Sequence, residues 1–190
     1  VYRAAANGDL TDFFYPLSAL VLLEWVAKLP SPAAFAVLSA GSLAATIITT
    51  RICGGKLVHA LLTYQLGSLL YYGQVDGFVA LGIALAWLAL QRENPWIFGL
   101  GLVAASIKPH VSGPTLLLMW SWLEARTRVK ALALPALVVL LSVWKYGFWI
   151  SDWIQRLLIA EPVRVGSIAL WERVGPVILL LWIPTLLMRL

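Results

Sequence analysis

The sequence predicts an all-α fold, a polytopic transmembrane helical bundle with broken or short helices and an external amphipathic segment. Three observations predict it. Of 190 residues, 61% are hydrophobic and only 12% are charged, and mean hydropathy is +0.87. A soluble domain carries about 25% charged residues, so water cannot cover this chain and lipid must. The apolar residues also fall in long runs, and a crossing helix takes about 20 of them. In lipid, only helices satisfy every backbone N–H and C=O without closing a barrel.

The same numbers exclude other classes. The formal net charge is +5, but the basic residues stand between apolar runs, where they orient a membrane protein; no nucleic-acid partner is indicated. The one cysteine, Cys53, rules out an internal disulfide and a cysteine metal cluster. His59 and His110 are too far apart in sequence for a metal motif. Residues 1–190 read as a single transmembrane domain with no signal-peptide pattern. The chain begins at Val1 and ends at Leu190 as a span finishes, so it reads as a fragment of a longer protein.

Candidate spans follow in order. Residues 32–50 hold no charge; 57–72 and 77–91 are shorter, and 96–107 and 111–123 shorter still, separated by Lys108-Pro109-His110. Residues 131–150 form a long span interrupted only by Lys145, and 174–188 close the chain. Residues 15–29 contain Glu24 and Lys28; a half-span, a re-entrant helix and a full span with a polar face all fit. Arg51 with Lys56, Arg92, and Arg126 with Arg128 and Lys130 mark three cytoplasmic loops. The connections 73–76 and 108–110 then fall on the opposite side, and 131–150 runs outward. Residues 151–173 mix Trp153, Ile154, Leu157 and Trp171 with Asp152, Arg156, Glu161 and Arg173. That suits an external segment lying in the interface. The ten tryptophans suit interfacial anchoring.

Ionisable groups at membrane depth are costly and face a cavity or a partner. Two places qualify. Tyr72-Gly73-Gln74-Val75-Asp76 lies between two short runs. For Asp76 the plain reading, a carboxylate capping the next helix, stands ahead of ligand binding. For Gln74 the order reverses, since an amide at depth can donate to and accept from a ligand. At Ser106-Ile107-Lys108-Pro109-His110 a helix of about 18 Å is broken by proline. Irregular backbone at depth borders a cavity or protein, so Lys108 reads as a phosphate site ahead of a snorkelling lysine. His110 has no obvious partner. Glu24 and Lys28, four apart, pair along one helix face. Trp120, Trp122, Trp144, Trp149 and Trp182 read as packing and interface residues, and Pro135, Pro176 and Pro184 as kinks.

The order of motifs carries a resemblance. An aromatic-Tyr-Pro lead (Phe13-Phe14-Tyr15-Pro16-Leu17) precedes a span with small residues, and Gly73-Gln74 opens another. A basic turn at 91–94 leads to Gly-x-Gly-Leu-x-Ala-Ala-Ser-Ile-Lys-Pro at 99–109, and an apolar run then ends in basic residues. Over residues 13–130 this resembles the C-type membrane glycosyltransferases, closest to glycosyltransferase family 87, the polyprenol-phosphate-mannose-dependent mannosyltransferases. The resemblance implies inverting transfer of a hexose, often mannose, from a polyprenyl-phosphate carrier to a hydroxyl of a lipid or glycan acceptor. Transfer would occur on the non-cytoplasmic face of a bacterial plasma membrane. Charge counting independently puts Gln74 and Lys108 on that side.

Such chemistry needs a carboxylate base and positive charge for the leaving phosphate. It demands no metal or other cofactor, because the leaving group is a phosphomonoester. Lys108 takes the phosphate, and Gln74, Asp76, His110, Tyr15 and Tyr72 are the other substrate-binding candidates, with Arg156 or Arg164 assisting. The family's catalytic aspartate lies in the first external loop, before the Tyr-Pro lead. The acidic residues there are Asp9 and Asp12, and with no first span before them the true base is expected in a missing N-terminal part, leaving this chain inactive by itself. The lead also lacks the second proline often seen. Two other readings compete: a transporter or flippase-like subunit, against which no matching pair of broken halves is found, and a non-catalytic subunit using Gln74 and Lys108 for interhelical bonds.

Overall fold

The structure, a computed structural model, describes residues 16–62, 67 and 75–159. Every element among these is helical. Val1–Arg156 form one compact unit and Leu157–Leu190 a second. Of the second, only the last turn of one helix is described. The expected span 174–188, most of 57–72 and the rest of 151–173 lie outside the described residues.

Helix α1 (Leu17–Ala27) follows Pro16 and has 11 residues, about 16 Å, half a membrane. Helix α2 (Ser31–Ile52) has 22 residues, a proline in its first turn and Arg51 in its last, an arrangement that suits a free N-terminal N–H and the helix dipole. A short α3 (Leu57–Leu61) follows. Helix α4 (Asp76–Arg92) runs from an acid to a base. It ends at Glu93, which takes the left-handed conformation (φ 51°). Asn94 then caps α5 (Pro95–Ala105), its side chain accepting from the N–H groups of Trp96 at 2.9 Å and Ile97 at 3.2 Å. Helix α6 (Pro109–Ser121) carries Pro114 inside it.

Helices α7 (Ala125–Ala131) and α8 (Ala133–Tyr146) run almost end to end, separated at Leu132. Pro135 accounts for the separation: it has no N–H to give the Ala131 carbonyl four residues back. The expected span 131–150 therefore moves. The helical stretch covers Ala125–Tyr146, taking in Arg126, Arg128 and Lys130, since arginine and lysine are good helix formers. It stops where Gly147 adopts φ 75°. Helix α9 (Ile150–Ile159) is amphipathic.

Two stretches, Ser31–Ile52 and Ala125–Tyr146, are long and apolar enough to cross a membrane, while α1 and α5 are apolar but short. Both long stretches are mostly unburied, and Trp144 and Leu140 expose 85% and 66% of their surface. Close packing joins α4 to α5, which run antiparallel. A Cβ added to Gly82 would fall 2.6 Å from the Gly101 carbonyl oxygen and the Ala105 nitrogen, and one added to Gly101 would meet the Gly82 carbonyl oxygen at 2.6 Å. Small residues let helix backbones meet in lipid, where no hydrophobic force drives them together. Helix α2 also packs along α4, with Gly77 against the Ser42 backbone and Gly41 against the Phe78 ring, and Ala19 and Leu23 of α1 join a cluster with Val75, Val79 and Ile107. Leu17 and Leu20 pack on Trp149.

Candidate functional site

The antiparallel α4–α5 pair brings the first residue of α4 beside the break after α5. Helix α5 ends at Ala105, and Lys108 leaves helical geometry (φ −129°, ψ 75°). Pro109 dictates this, because its ring disfavours the α conformation in the residue before it. Pro109 itself opens α6, where a missing N–H costs nothing. Ser112 closes the gap, its hydroxyl donating to the carbonyls of Ala105 (2.9 Å) and Lys108 (3.2 Å).

The ammonium of Lys108 meets the carboxylate of Asp76 at 2.5 Å, with side-chain exposures of 12% and 46%. The capping reading of Asp76 is corrected. Val75 occupies the N-cap of α4, without a side-chain cap bond, and Asp76 is the first helical residue. Its carboxylate takes the ammonium instead, in a bond between two full charges. It still lies in the first turn, where negative charge is favoured. Depth follows from a contact: a Cβ on Gly77 would run into the backbone of Ser42. Ser42 is the twelfth of the 22 residues of α2, so the ion pair stands level with the middle of a span-length helix. The exposed His110 lies within electrostatic reach of both charges. Asp9, Asp12, Tyr15, Tyr72 and Gln74 lie outside the described residues, as do Arg164 and the Arg156 side chain.

An apolar groove of about 350 Å³ opens at the same helix break; Ser106 and Pro109 line it, and neither Lys108 nor Asp76 does. Leu102 and Ser106 form one wall; Pro109, Ser112, Leu116 and Trp120 of α6 form the floor, with Leu132 and Pro135 opposite. Composition alone cannot reveal it, because each lining residue also suits a packed core.

Sequence reasoning found half of a second cluster. Lys28 pairs with Glu24 at 3.1 Å as the four-residue spacing predicts. Glu24 also accepts from the Lys145 ammonium and, at 3.1 Å, from the Tyr146 hydroxyl, tying α1 to α8. The available signal was Lys145 itself, a charge in an apolar run that calls for a partner. Trp149 packs as expected, its indole N–H donating to the Ser142 hydroxyl at 3.0 Å. Among the described residues no group of three or more His, Cys, Asp or Glu could hold a metal ion.

Described residues that form helices alone, two of them span-length, apolar and mostly unburied, with a charge pair at a broken helix, have the build of a helical membrane protein. Residues 13–187 match Glycosyltransferase family 87, and the chain belongs to that family. Membership carries membrane association and glycosyltransferase chemistry in general. No curated protein and no solved structure matches the chain.

Proposed function

We propose that this chain is part of a polytopic membrane enzyme that moves a hexose, mannose first among them, from a polyprenyl-phosphate carrier to a hydroxyl of a lipid or glycan acceptor. The site faces the non-cytoplasmic side of a bacterial plasma membrane. One observation carries the reading: an ammonium held at a helix break, level with the middle of α2, where the residues flanking the break, Ser106 and Pro109, also line an apolar groove. That combination suits a lipid whose phosphate and hydrocarbon must be bound together. Short helices such as α1, α5 and α6 then serve as partial crossings around the site.

In the reaction a carboxylate, from Asp12 or Asp9 or from an aspartate preceding Val1, takes the acceptor hydroxyl's proton. The acceptor oxygen bonds to the anomeric carbon from the face opposite the phosphate. The bond from that carbon to the phosphate oxygen breaks, and polyprenyl phosphate leaves with inverted configuration at the sugar. Lys108 stabilises the charge that grows on the leaving phosphate. Asp76 holds the ammonium in place before the donor arrives, so little reorganisation is left for the reaction. Gln74, His110, Tyr15 and Tyr72 contact donor or acceptor.

The test is mannose transfer from polyprenyl-phosphate-mannose by the full-length protein. Lys108→Ala should lower turnover by about 10²–10³-fold while the helical circular dichroism and gel-filtration profile are kept. Unchanged turnover and donor affinity would remove Lys108 from the mechanism. Single cysteines at positions 108 and 128, with Cys53 replaced, should label from opposite sides of the membrane; labelling of both from the cytoplasm would overturn the topology.

A further inference from the structure

Glu24 holds two ammoniums at once. Lys28 meets one carboxylate oxygen at 3.1 Å and Lys145 meets the other, to which the Tyr146 hydroxyl also donates at 3.1 Å. Among the described residues no other carboxylate pairs with either lysine. One acid between two bases leaves a single positive charge over. The tie between α1 and α8 does not need that charge, since Lys145 and Tyr146 alone make the tie. Glu24 exposes 17% of its side chain, whereas Lys28 exposes 71% and Lys145 43%. The carboxylate is the inner member of the cluster, and the ammoniums are the accessible ones.

The cluster sits where both span-length stretches point away from the basic loops. Arg51 stands in the last turn of α2, and Lys28 lies three residues before its first. Arg126, Arg128 and Lys130 open the stretch Ala125–Tyr146, and Lys145 stands in its last turn. Positive charge gathers on the cytoplasmic side of membrane proteins, so an excess at the opposite ends calls for an anion there. The neighbours are those of a lipid headgroup. Trp25 adjoins Glu24 and Trp144 adjoins Lys145, both well exposed, and indole rings settle at headgroup level. Earlier on α8, Leu137, Leu140 and Leu141 are exposed as well, an apolar track that suits acyl chains and that a soluble anion has no use for.

We infer that Lys28 and Lys145 bind the phosphodiester of an anionic membrane phospholipid at the non-cytoplasmic surface, with its acyl chains along α8. The charges then balance: two ammoniums against one carboxylate and one phosphodiester. Each ammonium has three N–H groups and gives one to Glu24, which leaves donors for phosphate oxygens. A lysine that merely snorkels has no reason to share one acid with a second lysine. The inference uses the topology proposed above but not the sugar-transfer chemistry, and its test reads neither.

The experiment follows the unfolding midpoint of the full-length protein in neutral detergent during titration with phosphatidylglycerol. A ligand of the folded state raises the midpoint in proportion to its occupancy. Diacylglycerol, which has the chains without the phosphate, and inorganic phosphate, which has no chains, should not raise it over the same concentrations. Lys28→Gln keeps the bonds of Glu24 to Lys145 and Tyr146. It should weaken phosphatidylglycerol binding about fivefold, the scale of one basic residue near an anionic surface. Lys28→Glu should weaken it further, and Lys28→Arg should keep it. Lys130→Gln, at the other end of the same stretch, should leave the affinity unchanged. Unchanged affinity in Lys28→Gln, or an equal loss in Lys130→Gln, overturns the site. An equal rise with diacylglycerol overturns the role of the phosphate, and equal affinity for inorganic phosphate overturns the lipid occupant.

Discussion

Between α4 and α5, glycine and alanine meet backbone to backbone; between α5, α6 and α8, leucine, proline and tryptophan stand apart around a groove of about 350 Å³. Both regions are apolar, so hydrophobicity does not separate them. Side-chain size does. In lipid, helices associate through close packing, and only residues as small as Gly82, Gly101 and Ala105 allow it. Bulky residues, together with prolines at 109, 114 and 135, keep the other helices from closing. The close-packed region fixes Asp76 opposite Lys108, and the open one leaves a groove lined by residues flanking the break, Ser106 and Pro109.

The comparison breaks most sharply at its tightest point. Gly82→Leu places atoms where the Gly101 and Ala105 backbones already are. It should cost about 3 kcal/mol, the upper end for overpacking, seen as a lower unfolding midpoint and loss of the monodisperse peak in detergent. A stable Gly82→Leu protein would show that the α4–α5 contact is looser than described.

Lys108→Met comes next. It strands the Asp76 carboxylate, but that group is 46% exposed, so the cost should be about 2 kcal/mol, below the roughly 3–5 kcal/mol of a fully buried pair. Adding Asp76→Asn should recover part of that stability without restoring sugar transfer. Full additivity of the two changes in a double-mutant cycle would show that the pair is not coupled. On the groove side, Leu117→Ala should be nearly silent, within about 0.5 kcal/mol, because that side chain is 66% exposed. A loss as large as that of a core leucine would mean the groove face is packed after all.

Much of the helical order was legible in the residues. The expected runs 77–91, 96–107 and 111–123 correspond to α4, α5 and α6 within two residues at each end, because turn chemistry at Glu93-Asn94 and Pro109 marks their limits locally. The break at Lys108-Pro109 was legible for the same reason. The expected 131–150 span shifts to 125–146 because charge does not bound a helix; its ends follow backbone conformation, here Gly147. The partner of Asp76 is not legible locally, because capping is read within a few residues and Lys108 lies thirty-two positions further along the chain.

The sequence by itself determined that this protein is helical, where its helices break, and which side chains are out of place in lipid. Those properties follow from backbone preferences and from the cost of placing charge in hydrocarbon, both set within a few residues. Only the tertiary structure decided that Asp76 answers Lys108, that Glu24 gathers Lys28, Lys145 and Tyr146, and that a groove opens beside the break. Partners and cavities depend on how closely distant segments approach, and here that distance is set by glycines on one helix meeting glycine and alanine on another.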